Sequence, residues 1–206
     1  MSWMATERFE AHEAPEGLAL VQDLANTHGI PRYGADLLAD QAAARLWLGE
    51  SAGQWARARG LDLPGPAVSE DDLPALRQLR SAVREMLAIP PGQRPAGPFD
   101  GAGGVTWHAQ AHLVTDQAGR VALAPSGTGA DWLAAAIWSE VLLAQRSGAW
   151  SRVKLCREPR CRTAFYDASR NSSGAWHNVR TCGNVTNLRA SRARRKAQAA
   201  APNSSA

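Results

Sequence analysis

Residues 156–182 read CREPRCRTAFYDASRNSSGAWHNVRTC and hold all three cysteines of the chain. Four residues separate Cys156 from Cys161, four separate His177 from Cys182, and fifteen lie between the two pairs. Two close pairs of soft or borderline donors, held apart by a loop, are what a tetrahedral zinc ion needs. Each pair supplies two corners, and the loop brings the pairs together. Zinc takes thiolate sulfur and imidazole nitrogen with little preference beyond four-coordination. The spacing predicts a Cys3His zinc site of Cys156, Cys161, His177 and Cys182. A disulfide would leave one thiol over, and no signal peptide points to an oxidising compartment. A cytoplasmic protein is expected.

Working outward, the flanks of this stretch differ sharply in charge. Residues 1–150 hold 11 Lys or Arg against 17 Asp or Glu, a net of −6; residues 151–206 hold 12 against 2, a net of +10. An acidic body is followed by a basic C-terminal module, and such asymmetry points to a polyanion partner for the module. Within the module, residues 151–155 alternate as a short strand delivering Cys156, Pro159 favours a tight knuckle, and Arg162–Tyr166 is the returning strand. Phe165 and Tyr166 supply apolar cover that a small zinc module cannot provide from its own core. Trp176 reads as a further core plug. From Thr181 or Cys182 onward a helix is expected, with Cys182 in its first turn, where the helix dipole stabilises a thiolate. Arg189, Arg192, Arg194, Arg195 and Lys196 fall within eight residues of that helix with no acid among them. That is the electrostatic footprint of phosphate-backbone contact, and these five are the candidate nucleic-acid-binding residues.

The body, taken in order, reads as mainly helical. Residues 1–15 are polar and mixed, and read as weakly ordered. Leu18, Leu20, Val21, Leu24 and Ala25 give a short amphipathic helix that Gly29 and Pro31 end. Asp36 to Glu50 is a second helix with Leu37, Leu38, Ala42, Leu46 and Trp47 as its stripe, weakened beyond by Gly49 and Gly53. Ser69 caps a third, with carboxylates in its first turn and Leu73, Leu76, Leu79, Val83, Met86 and Leu87 buried. Arg77, Arg80 and Arg84 read as its solvated face. Residues 89–104, with four prolines and five glycines, form no regular element. Val105–Val114 and Arg120–Ala124 form a β-hairpin around Asp116–Gly119. His108 and His112, four apart on a strand and so about 13 Å distant, read as a solvated face rather than ligands. Ala130–Arg146 is the last helix of the body, with Leu133, Ala134, Ile137, Val141 and Leu142 on one side. The domain boundary falls between residues 147 and 148. The expected fold class is α+β: a mainly helical N-terminal domain with a β-hairpin, then a small treble-clef-like zinc finger ending in a basic helix and a disordered tail. No apolar run is long enough to span a bilayer, so no membrane partner is expected.

These residues match a pattern. The set Cys156-x4-Cys161, Phe165-Tyr166-Asp167, Trp176-His177-x4-Cys182-Gly183-Asn184 and the Arg-rich helix resembles the CGNR-type zinc finger. The body resembles the ABATE domain that precedes that finger. Its signs are Leu24-Ala25-Asn26-Thr27, Asp36-Leu37-Leu38, Trp47-Leu48 and Leu76-Arg77-Gln78-Leu79-Arg80. The resemblance implies a stress-induced transcription regulator that binds DNA through the finger. Two positions depart from the family: His177 stands in place of Cys, leaving the site one thiolate fewer, and Val185 in place of the name-giving Arg. The functional expectation is a zinc-dependent DNA-binding regulator whose body senses a small-molecule ligand or forms a homodimer. The alternative is an RNA- or protein-binding zinc module without DNA readout. No Gly-rich phosphate loop, nucleophile motif or placed carboxylate pair points to an enzyme.

Overall fold

The computed structural model describes residues 2–95 and 104–200. The C-terminal tail from residue 201 and half of the Pro/Gly segment, residues 96–103, lie outside them. The fold is α+β, with two small antiparallel hairpins, a Cys3His cluster and a terminal helix.

Helix α2 (Leu18–Ala25) is the centre of the body, and all eight of its residues are buried. A helix buried all round must satisfy its polar side chains internally. Asp23 does so by accepting from the Thr6 amide at 2.8 Å, Trp47 Nε1 at 2.8 Å and Ser51 Oγ at 3.2 Å. Burial nevertheless holds its carboxyl above the usual range. The N-terminal segment is not frayed. It forms a short helix α1 (Met4–Glu7), and Trp3, Ala5 and Phe9 are buried against the body. Its isolated apolar residues stand among charges without a period, which is why the sequence pattern hides them.

Helix α3 runs over Gln41–Arg59. Asp40 caps it by accepting from the Ala43 amide at 2.9 Å, and Gly60 ends it in the left-handed region at φ +66°. The helix thus begins later than the pattern predicts and continues through Gly49 and Gly53. Its buried face is Ala44, Trp47, Leu48, Ala52, Trp55 and Ala56, while Leu46 is exposed. Tertiary packing of two tryptophans overrides the low helix propensity of two glycines.

Helix α4 (Leu73–Ala88) follows a single 3-10 turn in which Ser69 and Asp72 form a capping box. Leu73, Leu76, Leu79, Val83 and Leu87 are buried as the period predicts. The arginines on it are not a solvated face. Arg77 donates to the carbonyl oxygens of Leu38 and Ala39, Arg80 to Asp36 Oδ1, and Arg84 to the Ala25 carbonyl. They tie α4 to the irregular chain after α2, whose carbonyls need donors.

Strands β1 (Ala111–Thr115) and β2 (Val121–Pro125) form a hairpin, with Leu113 opposite Leu123; the first strand starts six residues later than expected, so His112 lies on it and His108 does not. Helix α5 (Gly129–Ser147) packs on β2, α2 and α4. Its Glu140 is buried, accepting from Trp55 Nε1 at 2.8 Å and pairing with Arg59, and Leu142 is exposed rather than buried.

The C-terminal module contributes strands β3 (Val153–Leu155) and β4 (Ala164–Tyr166) and helix α6 (Asn184–Ala200). Val153, Leu155 and Ala164 belong to the same apolar core as α2 to α5. The seam is also polar. Asn26 Nδ2 donates to the Ala164 carbonyl at 2.9 Å, and its Oδ1 accepts from the Ala164 amide at 2.8 Å. One buried amide side chain therefore pairs β4 as a neighbouring strand would. Gln22 adds a 3.2 Å bond to the same carbonyl.

Candidate metal centre

The hairpin places the first two ligands. Val153 faces Tyr166 and Leu155 faces Ala164. The Cys156 amide donates to the Thr163 carbonyl at 2.8 Å, so Cys156 sits where the ladder ends. Between the cysteines the Glu158 carbonyl accepts from the amides of Cys161 at 2.9 Å and Arg162 at 3.2 Å. This knuckle turns both sulfurs toward one point.

A polar staple places the third ligand. Asp167 is buried; its Oδ1 accepts from the Ser169 amide at 3.0 Å, and its Oδ2 from the Gly174 amide at 2.7 Å and Lys154 Nζ at 2.6 Å. These bonds hold the carboxyl well below its usual range against the opposing effect of desolvation. Residue 174 must be glycine for this, because a Cβ there would lie 2.9 Å from the Asp167 carboxyl. The Arg157 amide donates to the Ala175 carbonyl at 3.0 Å and returns the loop to the knuckle with His177 two residues on.

The fourth ligand arrives on a wide turn. Asn178 caps a π-helical turn, Val179–Gly183, accepting from the amides of Arg180 and Thr181, and the chain continues directly into α6. Cys182 lies in that turn, two residues before α6 begins, so the α-helix starts later than the expected Thr181 or Cys182 and the ligand sits in the π-helical turn that leads into it.

The four side chains meet. Their donor atoms all lie within 4.8 Å of one another, and the three cysteines are buried. His177 Nδ1 is 3.3 Å from Cys161 Sγ and 3.7 Å from Cys182 Sγ. A tetrahedron with Zn–N near 2.0 Å and Zn–S near 2.3 Å has N–S edges of about 3.5 Å. The nitrogen that fits is therefore Nδ1, while Nε2 is buried without a partner among the described residues. Cys161 is pulled down by a hydrogen bond from the Cys156 thiol, then by His177 and Thr163, despite its burial. Cys156 is raised by the same bond, and Cys182 by burial. Three soft donors and one imidazole in a buried shell fit zinc, with every corner supplied by protein.

Residues 152–195 match the CGNR zinc finger family. No curated protein matches the chain. The finger is a zinc-binding module, and its fold brings Cys156, Cys161, His177 and Cys182 into one cluster. Trp176 packs against the cysteine cluster, consistent with a core plug. Phe165 is buried, but its partners are Phe9 and Ala11 of the N-terminal segment. Tyr33 of the body sets its ring edge-on to His177, with centroids 6.2 Å apart. The finger thus borrows cover from the body.

The five basic residues are not equivalent. Arg189 Nη1 pairs with Glu158 Oε1 at 2.6 Å, and Thr186 Oγ1 donates to Glu158 Oε2 at 2.9 Å. Glu158, between the first two ligands, therefore orients α6 on the knuckle. Arg192, Arg194, Arg195 and Lys196 are exposed. Val185 is also at the surface, 36% exposed. The sequence reading overlooked Glu158, Asn26 and Tyr33 as parts of the site's support; its place as one of only two acids in a basic stretch is the one signal that marked Glu158.

Proposed function

We propose that this protein is a zinc-dependent DNA-binding transcription regulator of the stress-response type. The finger presents α6 to duplex DNA. The body, residues 1–147 in this reading, is an ABATE-like domain that senses a small molecule or pairs with a second copy. The zinc is structural, since four protein donors leave no position for water, and no catalytic role is assigned. The observation that carries the reading is the exposure of Arg192, Arg194, Arg195 and Lys196 on one short segment of helix, with no acid anywhere after Asp167. Uncompensated cations on an anchored helix are stabilised by a phosphate backbone through counterion release.

Fluorescence anisotropy of the zinc-loaded chain on a labelled duplex, between about 50 and 200 mM salt, tests this. Four phosphate contacts predict a log–log slope near −3.6. Arg192→Ala with Arg195→Ala is expected to flatten it by about 1.8. A slope near zero, or binding to single-stranded RNA but not to the duplex, would sink the DNA reading.

A further inference from the structure

The end of α4, the 3-10 turn after it (Pro91–Gln93), strand β3 and the loop at residues 172–175 line a cleft of about 490 Å³. That is the size of small-molecule sites, which concentrate at junctions between structural units. Four cations line it, Arg94, Lys154, Arg157 and Arg162, and no described carboxylate does. Lys154 is neutralised by Asp167. Arg94 is not: its guanidinium donates to the carbonyls of Leu87, Ile89, Trp150 and Val153, which fix its place without cancelling its charge. Arg84, just behind, is in the same condition, donating to the carbonyls of Ala25 and Arg162. Burial pushes both guanidinium groups down to about 10, with the charge of Arg162 adding to the effect at Arg84. Among the described residues the side chains of Arg157 and Arg162 make no hydrogen bond or ion pair. The cleft therefore holds a positive field with two unused guanidinium forks at its wall.

The backbone gives an independent sign. Four described non-glycine residues have left-handed backbone, and two of them, Arg162 at φ +53° and Ser172 at φ +47°, line this cleft. Such backbone is strained in any residue with a Cβ, and it concentrates at functional sites. Glycine would relieve position 162, yet an arginine stands there and carries a cation to the cleft. Leu87, Pro90 and Leu155 supply an apolar wall.

We propose that this cleft binds a small phosphorylated ligand. Arg157 and Arg162 hold the oxyanion head, Arg94 and Arg84 supply the field, and the apolar wall receives the remainder. The two walls belong to the helical body and to the hairpin that ends in Cys156, so the ligand clamps body to finger. The assignment is independent of whether α6 meets DNA.

The test uses the zinc-loaded full chain with inorganic phosphate and pyrophosphate, against sodium chloride at equal ionic strength. The expected result is a saturable rise in Tm with the phosphates beyond that with chloride. Calorimetric affinity should fall about tenfold in Arg157→Ala, the loss of one charge-assisted contact. Arg162→Gly should lose as much while folding at least as well, because glycine accepts the left-handed backbone. No phosphate-specific rise in the native chain, or affinity unchanged in both variants, would overturn the proposal. Displacement of phosphate by a saturating short duplex would put these arginines in a nucleic-acid footprint and overturn the small-ligand assignment. Phosphate binding undisturbed by the duplex supports it.

Discussion

The body and the finger are held together by different physics. The body closes around a helix buried on every side, with Trp47, Trp55, Leu76, Leu79 and Ile137 packed about it and its two buried acids, Asp23 and Glu140, fully engaged. The finger has three cysteines and Trp176 as its own cluster, and its other buried apolar residues, Val153, Leu155, Ala164 and Phe165, lie in cores shared with the body. Area burial stabilises the first at about 25 cal/mol per Å². The second has too little area of its own for that term to suffice. A metal and a set of polar staples make up the difference. Stability in the body is spread over many side chains, whereas in the finger it is concentrated in a few atoms.

The sharpest way to break the comparison is to strip the metal. Zinc binding in small fingers is worth about 10–16 kcal/mol, more than the packing of such a module supplies. Chelation is expected to expose the amides of residues 156–183 to rapid hydrogen exchange while those of α2 and α5 stay protected. Equal protection of both regions after chelation would show that the finger is held by packing alone.

A smaller effect sharpens the seam. Asn26→Ala leaves the amide and carbonyl of Ala164 without the side-chain partner that both now share. Each unsatisfied buried group costs about 1–3 kcal/mol, so a loss of roughly 2–4 kcal/mol is expected in urea unfolding of the zinc-loaded chain. A loss below about 0.5 kcal/mol, the size of an ordinary surface substitution, would mean that the carbonyl contact of Gln22 and water carry the seam.

The same contrast explains what was legible in the sequence. Metal ligation is local and stoichiometric: Cys156, Cys161, His177 and Cys182 announce themselves by type and spacing. The strands on either side of the knuckle and the long period of α4 were equally plain. What escaped was non-local. Trp3 and Phe9 have no period, and their burial depends on surfaces far along the chain. The continuation of α3 through Gly49 and Gly53 depends on Trp55 finding Glu140, 85 residues away. Arg77, Arg80 and Arg84 look solvated by their spacing, but carbonyls of another segment claim them. Asn26 stood out in the sequence only as part of a resemblance. The structure supplies its physical reason, two hydrogen bonds to the backbone of a strand 138 residues on.

The central claim is that a four-ligand zinc ion, with His177 as its only nitrogen donor, holds the basic helix in place. Native mass spectrometry of the purified chain and of His177→Ala tests it most directly. The account predicts one zinc per native chain, and a variant that loses it to a chelator at concentrations the native chain withstands. A native chain without zinc, or a variant that holds the ion as firmly, would contradict it.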